Sequence, residues 1–319
     1  MGVESFTCCS HPLQFVTGVP ICCTRKRPHQ AEMTLSATPL STADDYVRHF
    51  SSQELPVLRR TRRALETLRA AADTVNAKRI AAVVLGDPLM TMRLLTHLER
   101  HRPQSQNHDI TTIDRAIMMM GVEPFFDTFA DLPTVEDALQ AHPRALIGVL
   151  KVIANARRAA DHARDWAVVR HDLDPNEITV AALLREATEI VCWVFAPELT
   201  QRVYAMQHAD PTLRSTVAQK AVFGATANEI QLGLIRAWRL PELLVHLLDE
   251  TLSENPRVRT VKLAADFARH LARGWEDAAL PADIDQIEQL LRLPRDVLLQ
   301  RIGVPEEHRG RFAAAPAAD

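Results

Sequence analysis

The sequence predicts an all-α fold, and three observations carry that expectation. Only 10 glycines, 2 tyrosines and 5% aromatic residues occur in 319 positions, too few turn formers and strand-favouring side chains for a sandwich or barrel. Helix start signals, a capping side chain followed by proline, recur along the chain. Apolar residues fall at spacings near 3.6, and no strand-type alternation runs longer than about four residues. Hydrophobic residues make up 47% and charged residues 24%, which excludes a disordered, collagenous or coiled-coil chain.

From residue 41 onward helix follows helix. Leu58, Leu65, Leu68 and Ala72 mark one face of a helix after Leu55-Pro56. A second, from about Ala77 to Leu85, ends at Gly86. Asp87-Pro88 opens a third, cap then proline at the first helical position, carrying Leu89, Met92, Leu95 and Leu98 inward. After a polar loop, Thr111 or Thr112 caps a short helix through Ile113, Ala116, Ile117 and Met120, stopped by Gly121. Within it, Met118-Met119-Met120 is expected to fill core rather than bind. Pro124-Phe125-Phe126 and the turn Asp131-Leu132-Pro133 mark a subdomain seam, and a long helix follows from about Arg144 to Val168.

Asp174-Pro175-Asn176-Glu177 opens a helix expected to run unbroken through Ala181, Leu184, Ile190 and Phe195, apolar nearly all round and therefore central. Cys192 lies in it as a small hydrophobe. Further helices start at Pro197, Asp210-Pro211, about Thr226, Pro241 and Pro256. The expected organisation is a leader over 1–40, helical subdomains over 41–130 and 131–252, a helical extension over 253–309, and a disordered tail over 310–319.

Net charge is −3, from 37 basic and 40 acidic residues, which disfavours nucleic acid and anionic membranes as partners. No apolar run reaches the roughly 20 residues of a spanning helix. The stretch from Leu13 to Cys23 is broken by Gly18 and Pro20, and Arg25-Lys26-Arg27 follows it rather than precedes it, unlike a secretory signal. A cytoplasmic location is expected. Cys8-Cys9 and Cys22-Cys23, with His11 and His29, lack the spacer that brings paired thiolates to one zinc. They read as part of a disordered leader, or as sequence upstream of a start at Met33. Arg59, Arg60, Arg62 and Arg63 form a candidate patch for an anionic partner, but without interleaved aromatics they read as a solvated face neutralised by the rest of the chain.

Phosphate-cradling glycine loops, a Gly-x-Ser-x-Gly elbow and His-Glu-x-x-His are all missing from the sequence. Several ordered segments do resemble one family. Leu55-Pro56-Val57-Leu58, Ala82 to Leu89, Arg93-Leu94-Leu95, Ile113 to Ile117 with Gly121, Ala181 to Glu186, and Phe223-Gly224 with Trp238-Arg239-Leu240-Pro241 together resemble HDOD domains over about residues 51–250. These are degenerate, non-catalytic relatives of the HD-superfamily metal phosphohydrolases, found mainly in bacterial signalling proteins. The resemblance implies a multi-helix HD-like bundle with an N-terminal helical subdomain.

In active HD enzymes a histidine, a His-Asp pair and a later aspartate hold the metal. Set against that pattern, the pair reads Arg185-Glu186, the earlier histidine falls near Asn155, and the terminal ligands read Leu248-Asp249 with His246 just upstream. An arginine cannot ligate a cation, so no catalytic residue, metal or cofactor is expected. The candidate degenerate pocket comprises Asn155, Arg185, Glu186, Glu189, His246 and Asp249. Arg185 is expected to fill the cationic place, neutralised by Glu189 with Glu186 or Asp249; the alternative is a surface i,i+4 pair of Arg185 with Glu189. The literal dipeptide His171-Asp172 is expected to be solvated loop. The implied function is regulatory, binding a signalling protein partner or a small signalling ligand, with Arg185 suited to a phosphate or carboxylate. A residual metal-dependent phosphohydrolase or phosphodiesterase acting on a nucleotide or cyclic dinucleotide through His162, His208 or Asp210 is the first alternative. A nucleic-acid-binding regulator led by the Arg59 helix is the second.

Overall fold

A computed structural model describes residues 34–71, 75–101, 111–210 and 212–312. They belong to one compact unit that begins at Met33. The paired cysteines, His11, His29 and Met33 itself lie outside the described residues.

The first helices are α1 (Ala43–Ser52), α2 (Arg59–Ala70), α3 (Ala77–Val84), α4 (Pro88–Arg100), α5 (Ile113–Met120), α6 (Val122–Thr128) and α7 (Val135–Ala138). Then come α8 (Pro143–Val169), α9 (Pro175–Leu184), α10 (Ala187–Phe195), α11 (Pro197–Ala209), α12 (Ser215–Phe223), α13 (Ala227–Ala237) and α14 (Glu242–Leu248). The C-terminal set is α15 (Pro256–Leu271), α16 (Leu280–Leu291), α17 (Arg295–Arg301) and α18 (Glu306–Arg309). Among the described residues the extended chain pairs only in an isolated parallel bridge between Val57 and Thr134. The fold is all-α.

Many of the start signals act as the chemistry of capping requires. Thr42 accepts from the Asp45 amide, Asp174 from Asn176, and Asn255 from Arg257. Thr226 and Glu229 form a reciprocal capping box at α13. Asp87 does more than cap. Its side chain is fully buried and accepts from the Leu89 and Met90 amides of α4, and also from the Leu58 amide at 2.7 Å, where α2 begins. Burial pushes its carboxyl up, while the Leu58 amide, Thr61 and the α4 amides oppose the shift. One carboxylate thereby ties two helix N-termini together.

The core is organised on the 27-residue helix α8. Its buried stripe is made of small residues (Ala156, Ala159, Ala160, Ala163 and Ala167), which allows α9 and α15 to pack closely against it. Trp166 of α8 is fully buried, stacked on His162 and tilted against Phe267 of α15. At the other end, α1 inserts Tyr46 and Phe50 against Phe223 and Phe195.

The structure departs from the sequence reading at five places. The apolar run expected as one helix is broken at Arg185-Glu186, separating α9 from α10. Helix α12 starts at Ser215 rather than at Asp210-Pro211. Met118 and Met119 are 66% and 57% exposed, so only Met120 of the methionine run packs against the core. Gly310–Phe312 forms a 3₁₀ turn with Phe312 buried beside Trp275, so the start of the expected tail is ordered. Asp172 is not solvated: its side chain is 6% exposed and pairs with Arg257 of α15 at 3.2 Å.

Replacing Asp87 with alanine removes a cap and leaves the Leu58 amide without its acceptor. The expected cost is about 2–4 kcal/mol in urea denaturation, with Asp87→Asn losing clearly less because one acceptor oxygen remains.

Candidate functional site

The break between α9 and α10 creates the site. At the break the Gln231 side chain donates to the Arg185 carbonyl at 3.4 Å, an inserted side chain of the kind that interrupts helices. The turn sends Arg185 to one side and lets Glu186 and Glu189 of α10 face the next layer. The Arg185 guanidinium is largely buried and pairs with Glu250, in the 3₁₀ turn after α14. This corrects the expected partner: the structure gives Arg185 to Glu250, not to Glu189, because the missing turn of helix removes the i,i+4 geometry.

Glu189 instead accepts a hydrogen bond from the Tyr204 hydroxyl of α11. Burial, together with the neighbouring charge of Glu186, pushes Glu189 up to about 7. Burial and the same Glu189 charge push Tyr204 and Cys192 up as well. The cation that these acids face comes from α15. Arg269 bonds to Asp266, and although burial opposes it, the charges of Glu186, Asp266 and Glu189 raise its pKa. Lys262 donates to Asp266 at 2.6 Å. Burial would raise the Asp266 carboxyl, but Lys262 and Arg269 outweigh it and hold it low. Asp266 is thus the carboxylate paired with Arg269, while Glu186 and Glu189 act on it through their charge alone.

Two cavities flank this wall of Glu186, Glu189, Tyr204 and Arg269. One, of about 570 Å³, is also lined by Arg185, Asp266 and Glu250. The other, of about 580 Å³, lies on the α8 side and includes Asn155, whose side chain accepts from Arg158 at 2.6 Å. Both are in the size range of small-molecule sites. Of the sequence-derived candidates, Asn155, Arg185, Glu186 and Glu189 therefore meet at these cavities. His246 is exposed on α14, and Asp249 caps the following turn, where the Thr251 hydroxyl and amide hold its carboxyl below the usual range. Neither lines either of these two cavities. Sequence reasoning missed Lys262, Asp266 and Arg269; their signal is a set of charges at i, i+4 and i+7 on α15, beyond the segment that carried the family resemblance.

The other candidates fall apart in space. His162 is packed against Trp166 and Phe267, His208 is exposed on α11, and Asp210 turns back onto Thr212. Among the described residues no three His, Cys, Asp or Glu side chains are grouped to hold a metal ion. In the basic cluster, Arg59 pairs with Asp137 at 2.7 Å, Arg62 leans on Asp137 and Glu66, and Arg60 donates to the Gly86 carbonyl. Arg60 and Arg63 are exposed, and Arg59 and Arg62 are partly buried. Among the described residues, no helix is long and apolar enough to cross a membrane.

A helical bundle whose central apolar run breaks at an Arg-Glu dipeptide is an all-α, HD-like architecture. The HDOD domain family matches residues 55–252, well over half of the chain, and the chain belongs to that family. Among solved structures it is similar to a virulence factor from Campylobacter jejuni subsp. jejuni, at 17% identity and TM-score 0.62, over 86% of this chain and 99% of that one. It is also similar to the MmoQ response regulator from Methylococcus capsulatus str. Bath, at 18% identity and TM-score 0.56, over 83% and 100%. At these identities the likeness is one of fold. No curated protein matches the chain.

Glu189 supplies a direct test of the site's electrostatics. Its folded-state value near 7 lies above an unfolded value of about 4.3, so the native state holds its proton longer and loses stability as pH rises through that window. Glu189→Gln is expected to gain stability relative to the parent at pH 8 and to show little gain at pH 5, read by thermal melts at both values.

Proposed function

We propose that this HDOD protein is a non-catalytic regulatory module of bacterial signal transduction. It works in the cytoplasm by binding a protein partner or a small signalling ligand at the degenerate HD centre. The observation that carries this reading is the charge arrangement there. Metal-assisted phosphoester hydrolysis needs several carboxylates or neutral imidazoles converging on one ion. The position of the paired ligands holds Arg185, which repels a cation and is committed to Glu250. Of the carboxylates that remain, Asp266 is paired with Arg269 and Lys262, and Glu189 accepts from Tyr204. This donor set does not fit a metal; the protein supplies the positive charge itself. What it leaves is a pair of preformed cavities with convergent polar groups, the usual form of a binding site.

Phosphatase and phosphodiesterase screens with manganese, run on mononucleotides and cyclic dinucleotides, are expected to be blank for the full chain. Turnover that a chelator abolishes would overturn the non-catalytic reading, as would stoichiometric iron, manganese or zinc in the purified protein.

A further inference from the structure

We propose that the groove on the outer side of α8 is the docking surface for an acidic amphipathic helix of a partner protein. The proposal rests on the reading of the chain as a binding module and names the partner's chemistry. From Arg144 through Ala160 the helix contains no acidic residue. Arg144, Lys151 and Arg158 stand seven residues apart, and at a rise of about 1.5 Å per residue they share one face at steps of about 10.5 Å. All three are exposed, all three line the cavity on the α8 side, and none has an ion-pair partner among the described residues.

Ile147, 57% exposed, sits between the first two cations, and Gly148, Val152, Trp193 and Ala265 floor the groove. Arg269 and Arg273 stand on its far wall. The carboxylates lining it are Glu186 and Glu189; Arg269 and Arg273 are paired with Asp266 and Asp277, so the surplus positive charge is that of Arg144, Lys151 and Arg158. A surplus of positive charge around an apolar floor selects an anionic, amphipathic occupant.

The shape narrows the choice. The cations span about 21 Å along the helix axis, a row that a compact metabolite does not reach from end to end. A helix laid alongside α8 repeats its own side chains at the same heptad step, so Glu or Asp at every seventh position meets each cation in turn. An apolar residue between them covers Ile147 and the floor, as in helix-in-groove recognition. A nucleic-acid backbone spaces its charges several-fold more densely, at about 1.7 Å per charge for a duplex, and is matched poorly by a 10.5 Å step.

The test uses the full chain and a synthetic, end-blocked helical peptide of three heptads, with Glu at each seventh position and Leu between. A control peptide carries Lys for Glu. In fluorescence anisotropy the acidic peptide is expected to bind, to weaken by at least about tenfold in Arg144→Glu/Lys151→Glu/Arg158→Glu, and to weaken as salt rises. The Lys peptide is expected to bind that triple variant and not the parent, a charge exchange that simple unfolding cannot produce; circular dichroism verifies the fold. No binding of the acidic peptide to the parent, or equal binding to parent and triple variant, overturns the proposal. A concentration-dependent dimer in sedimentation that the triple variant abolishes overturns it in favour of a second copy of the chain. Peptide failure beside a blank hydrolase screen removes this groove alone and leaves the binding-module reading standing.

Discussion

The close approach that small residues allow along α8 is the constraint on which the rest of the site depends. Alanines on its buried face bring α9 and α15 near its axis, and Gly148 does the same for α10. A Cβ at Gly148 would sit 2.6 Å from the Trp193 ring, a clash with the face of a buried indole that only a backbone shift would relieve. Trp193 in turn rests on Tyr204, with ring centroids 5.0 Å apart, and Tyr204 holds Glu189. Position thus passes from a glycine without a side chain to a carboxylate with a perturbed proton affinity, one packing contact at a time. Helix α15, seated on the same seam, delivers Arg269 from the opposite direction.

Half-buried carboxylates are costly unless paired, and Glu186, Glu189 and Asp266 line the same cavity. Arg269 and Lys262 pair with Asp266, while Glu189 is held by Tyr204. The Arg185–Glu250 pair is different in kind. Glu250 is largely open to solvent, so their attraction is screened and modest; its structural consequence is to fix the largely buried guanidinium in the lining of the cavity.

Much of this was legible in the sequence, because capping and periodicity are local. Asp87-Pro88, Asp174-Pro175 and Thr226 through Glu229 specify their helices by side chains within three residues of the backbone groups they satisfy. The family resemblance pointed to Arg185, Glu186, Glu189 and Asn155, which do meet. The failures have long-range causes. Apolar periodicity runs straight through Arg185-Glu186, and the carbonyl freed at the break is met by Gln231, 46 residues away. His246 and Asp249 were placed by chain distance from a motif, but α14 ends in a turn that sends both outward. The methionine run has helical spacing, yet α5 has neighbours on one side only, so Met118 and Met119 stay in solvent. Asp172 looked like loop because its partner, Arg257, belongs to a helix 85 positions further on.

The family segment ends at residue 252, yet the guanidinium that balances its acids is carried by α15, which starts at Pro256. The boundary by which the family is recognised and the boundary of electrostatic completeness are therefore not the same. A lineage that shuffled only the recognised segment into a new gene would carry Glu186 and Glu189 but leave both Arg269 and its partner Asp266 behind. The helices that follow such a segment in any one protein are accordingly free to decide what that centre becomes: a neutralised hub, as in this chain, or an open acidic cradle waiting for a cation from elsewhere.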